Sequence, residues 1–249
     1  MTLLITGGSR GIGAATARIA ARKGYAVAIN YRAAGDQAQA LVAEIERDGG
    51  RALAVQADVA SEEQVEAMFR TVDDFGPLTA LVNSAGISHI AKAAEFEGAA
   101  LERLLRINVL GTMLCCREAI RRMSTRLGGK GGAIVNVSSM AAVIGGRAGR
   151  TAYAASKGAV DSFTKGLARE VGREGIRVNA LRPGMTMTDM TDSVRSNPAL
   201  RAQTSATIAM NRCAEAEEMA LPILWLLSDE ASFVSGALLD GSGGGFMVG

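Results

Sequence analysis

Tyr153 and Lys157 close the run Tyr153-Ala154-Ala155-Ser156-Lys157. On a helix that spacing puts the phenol and the ammonium on one face, one turn apart. An ammonium about 4 Å from a phenol, at an effective dielectric near 20, contributes roughly 4 kcal/mol. That corresponds to about three pKa units. The spacing predicts a tyrosine acidified toward neutrality, able to exchange a proton with an alcohol or carbonyl oxygen. Upstream, Ile134-Val135-Asn136-Val137-Ser138-Ser139 reads as a strand ending on hydroxyls. Either Ser139 or Ser138 can then face a bound molecule, and Ser139 is the preferred choice.

A second chemical element stands at the other end of the chain, Thr6-Gly7-Gly8-Ser9-Arg10-Gly11-Ile12-Gly13, between an apolar strand and an Ala-rich helix. Gly7 permits a tight turn, Gly11 lets the backbone approach a pyrophosphate, and Gly13 allows close packing of helix on strand. The helix start supplies free N–H groups and a partial positive charge. No Gly-Lys-Ser/Thr follows, so this is not a Walker loop. At the tip of the second strand stand Asn30, Tyr31 and Arg32, where a carboxylate would select an unphosphorylated ribose. Arg32, with Arg10 from the glycine turn, favours NADP(H) over NAD(H), because guanidiniums bind a 2′-phosphate.

These groups need a scaffold, and the chain alternates strand and helix throughout. Strands are predicted at Leu3–Thr6, Tyr25–Tyr31, Arg51–Gln56, Leu78–Asn83, Ala133–Ser138, Ile176–Leu181 and Ala237–Asp240. Helices are predicted at Gly11–Lys23, Asp36–Arg47, after the capping Ser61, at Leu101–Arg126 interrupted by Gly111, at Thr151–Arg173 and at Glu215–Leu227. Continuous apolar strands between helices predict an α/β fold: a doubly wound, Rossmann-type parallel sheet of about seven strands, helices on both faces. No linker or repeat breaks the 249 residues, which predicts one dinucleotide-binding catalytic domain over 1–249.

Composition narrows the partners. With 48% apolar and 21% charged residues the chain is not disordered, and 27 Lys+Arg against 25 Asp+Glu leave no basic excess for nucleic acid. No apolar run is long enough for a membrane span or a signal peptide. Three cysteines, two of them adjacent, fit a reducing cytoplasm. The single histidine, His89, has no companions at metal-ligand spacing, so no metal is expected. Cys115 and Cys116 read as core and interface thiols and Trp225 as packing. Met185, Met187 and Met190, amid threonines and before Pro198, read either as an adaptable lid over the substrate or as disorder without function.

Across nearly its whole length the sequence resembles the short-chain dehydrogenase/reductase family. The shared pattern comprises the glycine turn, Asp58-Val59, Asn83-Ser84-Ala85-Gly86, Asn108-Val109-Leu110-Gly111, Ser139, Tyr153 with Lys157, and Pro183-Gly184 with Thr188. It departs in having Ser84 where a second asparagine is usual, and in a slightly longer loop over 140–150. The resemblance implies that Tyr153 is the general acid/base, Lys157 its partner and a ribose ligand, Ser139 the residue that orients the substrate oxygen, and Asn108 the holder of a relay water. It implies adenine binding by Asp58 beside Val59, a cofactor wall from Asn83, Ala85 and Gly86, backbone contacts from Ser9 and Ile12, and a nicotinamide clamp of Pro183, Gly184 and Thr188. It further implies NADP(H)-dependent interconversion of a carbonyl and a secondary alcohol, in a homotetramer joined through the Leu101–Arg126 and Thr151 helices and the Gly241–Gly249 tail. Substrates of such relatives include ketoacyl thioesters, sugars or polyols, steroids and small ketones. The competing readings are an NAD-dependent sugar or polyol dehydrogenase, a nucleotide-sensing relative without catalysis, and a methyltransferase.

Overall fold

The computed structural model describes residues 1–245. Seven strands form one parallel sheet: β1 (Thr2–Thr6), β2 (Ala26–Tyr31), β3 (Arg51–Gln56), β4 (Leu78–Asn83), β5 (Gly132–Val137), β6 (Ile176–Pro183) and β7 (Leu238–Gly241), in the order β3-β2-β1-β4-β5-β6-β7. The chain runs outward from β1 to β3, then returns to place β4 on the other side of β1. That reversal leaves a crevice at the carboxyl ends of β1 and β4, where doubly wound sheets hold ligands.

Both faces of the sheet are covered. Leu3 and Ile5 of β1 pack on one side, and Leu4 between them packs on the other, as the period-2 alternation of a strand requires. The first face buries α1 (Gly11–Arg22), α2 (Gly35–Arg47) and α10 (Ala216–Leu227); the second buries α3 (Glu62–Phe75), α5 (Gly111–Met123) and α7 (Thr151–Val171). The remaining helices are α4 (Gly98–Leu105), α6 (Ala141–Ile144), α8 (Asp192–Arg195) and α9 (Pro198–Ser205). Ser61 caps α3 as expected, accepting from the Gln64 N–H.

Three expectations need correction. The helix expected over 101–126 begins at Gly98 and ends at Met123, and one π turn, Arg106–Leu110, joins α4 to α5. Gly111 does not interrupt it. A Cβ there would lie 2.8 Å from Val59 Cγ2, so glycine is needed because the helix presses on the turn after β3. The Met/Thr-rich stretch is ordered, and Met185 and Met190 line the cleft described below. It carries α8 and α9, the latter capped by Asn197, and Met187, Val194, Ile208 and Cys213 form a small core of its own. Trp225 is not packed inside: it is 39% exposed on α10, next to the outward-facing Leu221.

Among the described residues no helix is long and apolar enough to cross a membrane, and no cluster of His, Cys, Asp or Glu could hold a metal ion. Cys115 and Cys116 are wholly buried, so neither is an interface thiol on this chain's surface; burial pushes Cys116 up to about 12. The tail expected to pack across an interface falls partly outside the described residues.

Candidate active site

The glycine turn follows β1 with Gly7 in the left-handed region at φ 61°. A side chain at Gly7 would place Cβ 2.7 Å from Ala85 Cα, and one at Gly13 would place it 2.5 Å from the Gly7 carbonyl oxygen. Neither backbone neighbour can give way. The start of α1 carries no side-chain cap and no acidic residue in its first turn, so its N–H groups and positive dipole end remain open to an anion.

Beyond this turn a cleft of about 1040 Å³ runs along the carboxyl edge of the sheet. Gly7, Ser9, Arg10, Gly11 and Ile12 form one end of its lining, Tyr31 and Arg32 the adjacent wall, and Asp58 and Val59 the next. Ala85 and Gly86 continue the wall, and Ser139, Tyr153, Lys157, Pro183, Gly184 and Thr188 complete it. Gly11 faces Thr188 across the mouth, its hypothetical Cβ 3.3 Å from Thr188 Cγ2.

Four expected site residues make contacts that hold the frame. Gly13 is pressed beneath the turn. Asn30 borders the cleft, but its amide nitrogen donates to the Val55 and Ala57 carbonyls and its oxygen accepts from the Gly7 N–H, so it clamps β2 to β3 and the glycine turn. Asn83 is 4% exposed and lies outside the lining; it donates to Asn136 Oδ1 at 2.9 Å and to Cys116 Sγ, while its own Oδ1 is buried without a partner. Asn108, in the π turn, is fully buried: Oδ1 accepts from the Ile87 N–H, and Nδ2 donates to the Ile87 carbonyl and Ser156 Oγ. Asn108 thereby braces α7 against the segment after β4. A π turn inside an α-helix is frequent at functional sites because it redirects one side chain.

The two arginines expected to face no carboxylate each have one. Arg32 Nη1 lies 3.8 Å from Asp58 Oδ2, and Arg10 Nη1 lies 3.6 Å from Asp189 Oδ2. Asp58 was invisible as a neighbour because β2–β3 pairing, with Tyr31 opposite Gln56, brings it across. All four side chains are substantially exposed, so each pair is worth about 0–1 kcal/mol.

Tyr153 and Lys157 occupy the first turns of α7, as the spacing requires. The expected acidification of Tyr153 is not what the geometry produces. Burial pushes the phenol above its ordinary value, outweighing a hydrogen bond with Ser139 and the nearby charge of Arg150, which both pull it down. Lys157 Nζ sits 5.8 Å from the Tyr153 ring centroid and donates to the Val137 carbonyl at 2.8 Å. Burial pushes Lys157 down to about 8, against the opposing pull of Asp161 one turn further on. Of the two serines, Ser138 is buried with its hydroxyl donating to the Lys157 carbonyl, and Ser139 is the one that meets the Tyr153 phenol.

The lysine gives a stability test. Its folded value near 8 lies below the ordinary 10.5, so between those limits the unfolded chain binds more protons than the folded one. Stability then rises with pH across that window, and the burial penalty is fully present below it. Wild type should gain about 3 kcal/mol relative to Lys157→Met between pH 8 and 10.5, measured by urea unfolding at each pH. A constant difference would mean the ammonium is not desolvated.

Sequence reasoning missed Ser88 and Arg150, which both line the cleft and bond to each other, Arg150 Nη1 donating to Ser88 Oγ. The only available signal was the position of Arg150, just ahead of Tyr153.

A nucleotide cradle at a sheet's switch point, joined to a partly buried tyrosine and a buried lysine, defines an oxidoreductase that uses a nicotinamide dinucleotide. The profile of the family described as Enoyl-(Acyl carrier protein) reductase matches residues 7–245. An uncharacterized oxidoreductase of Escherichia coli (strain K12), YgfF, is 48% identical over 97% of this chain and 98% of its own length. A 3-oxoacyl-[acyl-carrier-protein] reductase of Synechocystis is 36% identical over 97% of this chain and 95% of its own. A short-chain dehydrogenase/reductase from Serratia marcescens superposes with TM-score 0.92 at 34% identity, covering 99% of this chain and 98% of that one. A dehydrogenase/reductase from Sinorhizobium meliloti gives 0.89 at 40% identity, over 98% and 94%. The chain belongs to the short-chain dehydrogenase/reductase family and is an NAD(P)-dependent enzyme of it.

Proposed function

We propose that this enzyme interconverts a carbonyl and a secondary alcohol with NADP(H), Tyr153 acting as the general acid/base. The observation that carries the reading is the partly buried Tyr153 phenol, hydrogen-bonded to Ser139 with Lys157 across its ring, on the wall of the cleft that the glycine turn opens. The residues fit a dinucleotide: glycine is enforced at Gly7 and Gly13 by backbone contact, and the uncapped start of α1 suits a pyrophosphate. Arg32 and Arg10 would hold the 2′-phosphate, exchanging weak carboxylate contacts for charge-assisted phosphate bonds.

The bound nicotinamide supplies or accepts the hydride. Tyr153 protonates the carbonyl oxygen as its carbon becomes tetrahedral, and removes the same proton in the reverse direction. Ser139 orients that oxygen beside the phenol. Lys157 lies next to Gly86, whose hypothetical Cβ would be 3.6 Å from Nζ, and its charge stabilises the phenolate left after proton transfer. Asn108 is a positioning residue that ties α7 to the Ile87 backbone. Residues 1–249 act as one catalytic domain in the reducing cytoplasm, and the outward-facing Leu105, Leu110 and Met113 of the long helix support assembly as a homotetramer.

The reading is tested by following reduced-cofactor absorbance over a panel of ketones, aldehydes and secondary alcohols. Ser139→Ala should cut turnover about tenfold to a hundredfold, through loss of one oriented hydroxyl. Ser138→Ala should act mainly on stability, because its hydroxyl serves the α7 backbone. The reverse pattern would exchange the two serines' roles, and NADPH binding without turnover of any carbonyl or alcohol would overturn the proposal.

A further inference from the structure

The substrate side of the cleft holds a cation without a counter-ion. Arg150 immediately precedes α7, three residues ahead of Tyr153, and is partly buried. Its Nη1 donates to Ser88 Oγ, in the segment after β4, and the Ala91 N–H of that segment donates to the Gly149 carbonyl at 2.9 Å, so the loop that carries Arg150 is tied to the segment that holds its guanidinium. Among the described residues no carboxylate pairs with it. Two other arginines of the cleft differ: Arg10 has Asp189 and Arg32 has Asp58. Asp189, which also lines the cleft, is shared between Arg10 and Arg195.

A partly desolvated cation unmatched by protein is costly to maintain. A guanidinium carries five N–H donors in a planar fork that matches a carboxylate, and Ser88 takes up one of Arg150's. Arg150 and Tyr153 line the same cleft, and the positive charge draws the phenol down. Resting on the reading of Tyr153 as proton donor, we propose that Arg150, held by Ser88, selects substrates that carry a carboxylate near the reacting carbonyl: oxo acids, and hydroxy acids in reverse.

The test uses the full chain with NADPH and matched pairs, a short 2-oxo acid and a 3-oxo acid, each against its methyl ester. Wild type should favour at least one acid over its ester by tenfold or more in kcat/KM. Arg150→Gln should collapse that acid-to-ester ratio at least tenfold, with the loss of acid falling mainly in KM, and Arg150→Lys should restore part of it. Equal loss for acid and ester, or no preference in wild type, would overturn the inference. Binding separates it from the parent reading. In NADP⁺-loaded Tyr153→Phe, a 2-hydroxy acid should raise Tm more than its amide, and the added Arg150→Gln change should abolish the difference. Carboxylate binding that depends on Arg150, with no turnover of either partner in wild type, would sink the carbonyl chemistry alone. Ester turnover with no acid preference would sink this inference alone.

Discussion

Tyr153→Phe is expected to lower turnover about a thousandfold while NADPH affinity changes only a few-fold. A positioned general acid contributes roughly 10²–10⁴ in rate, and this substitution deletes only the hydroxyl. The ring that burial holds in place remains, as do the glycine turn and the arginines that would grip the cofactor. Steady-state absorbance measures the first quantity and a fluorescence titration the second. Turnover within about tenfold of wild type would remove Tyr153 from the proton path. The direction of its shift adds a second reading of the same assay. A phenol pushed up by burial is protonated at neutral pH, which stocks it as the acid for carbonyl reduction; alcohol oxidation needs the phenolate and should gain rate as pH rises. Part of that gain is opposed above about pH 8, where Lys157 begins to lose the charge that stabilises the phenolate.

What was legible in the sequence was whatever lies within one element. The spacing of Gly7, Gly11 and Gly13 and that of Tyr153 and Lys157 each belong to a single turn or helix face, and the structure brings Gly7, Gly11, Tyr153 and Lys157 to one cleft. The alternation of apolar runs likewise read out the strand count and the layers. What escaped was decided by partners far along the chain. Asn30 and Asn83 stand at strand tips, where an amide can face a ligand or the frame. The carbonyls of Val55 and Ala57 claim one, and Asn136 the other. The pairing of Arg32 with Asp58 depends on strand register, which no local pattern encodes. The pKa argument for Tyr153 failed for a related reason: it counted a neighbouring charge but not desolvation, and desolvation dominates both members of the pair.

Arg32→Asp should reverse the cofactor preference, moving the ratio of kcat/KM for NADPH over NADH about a thousandfold toward NADH. In the wild-type structure Arg32 and Asp58 are 3.8 Å apart with side chains 47% and 30% exposed. Such a pair is worth about 0–1 kcal/mol, so a 2′-phosphate displaces it readily and gains charge-assisted hydrogen bonds of about 1.5–3 kcal/mol each. After the substitution those bonds are lost and a second carboxylate stands beside Asp58. It repels the phosphate and accepts bonds from the ribose hydroxyls of NADH. The combined change of about 4 kcal/mol corresponds to three decades. Arg10→Ala should move the ratio less, since it removes attraction without adding repulsion. If Arg32→Asp leaves the ratio unchanged, neither the tip of β2 nor Arg32 reads the phosphate, and the preference for NADP(H) falls.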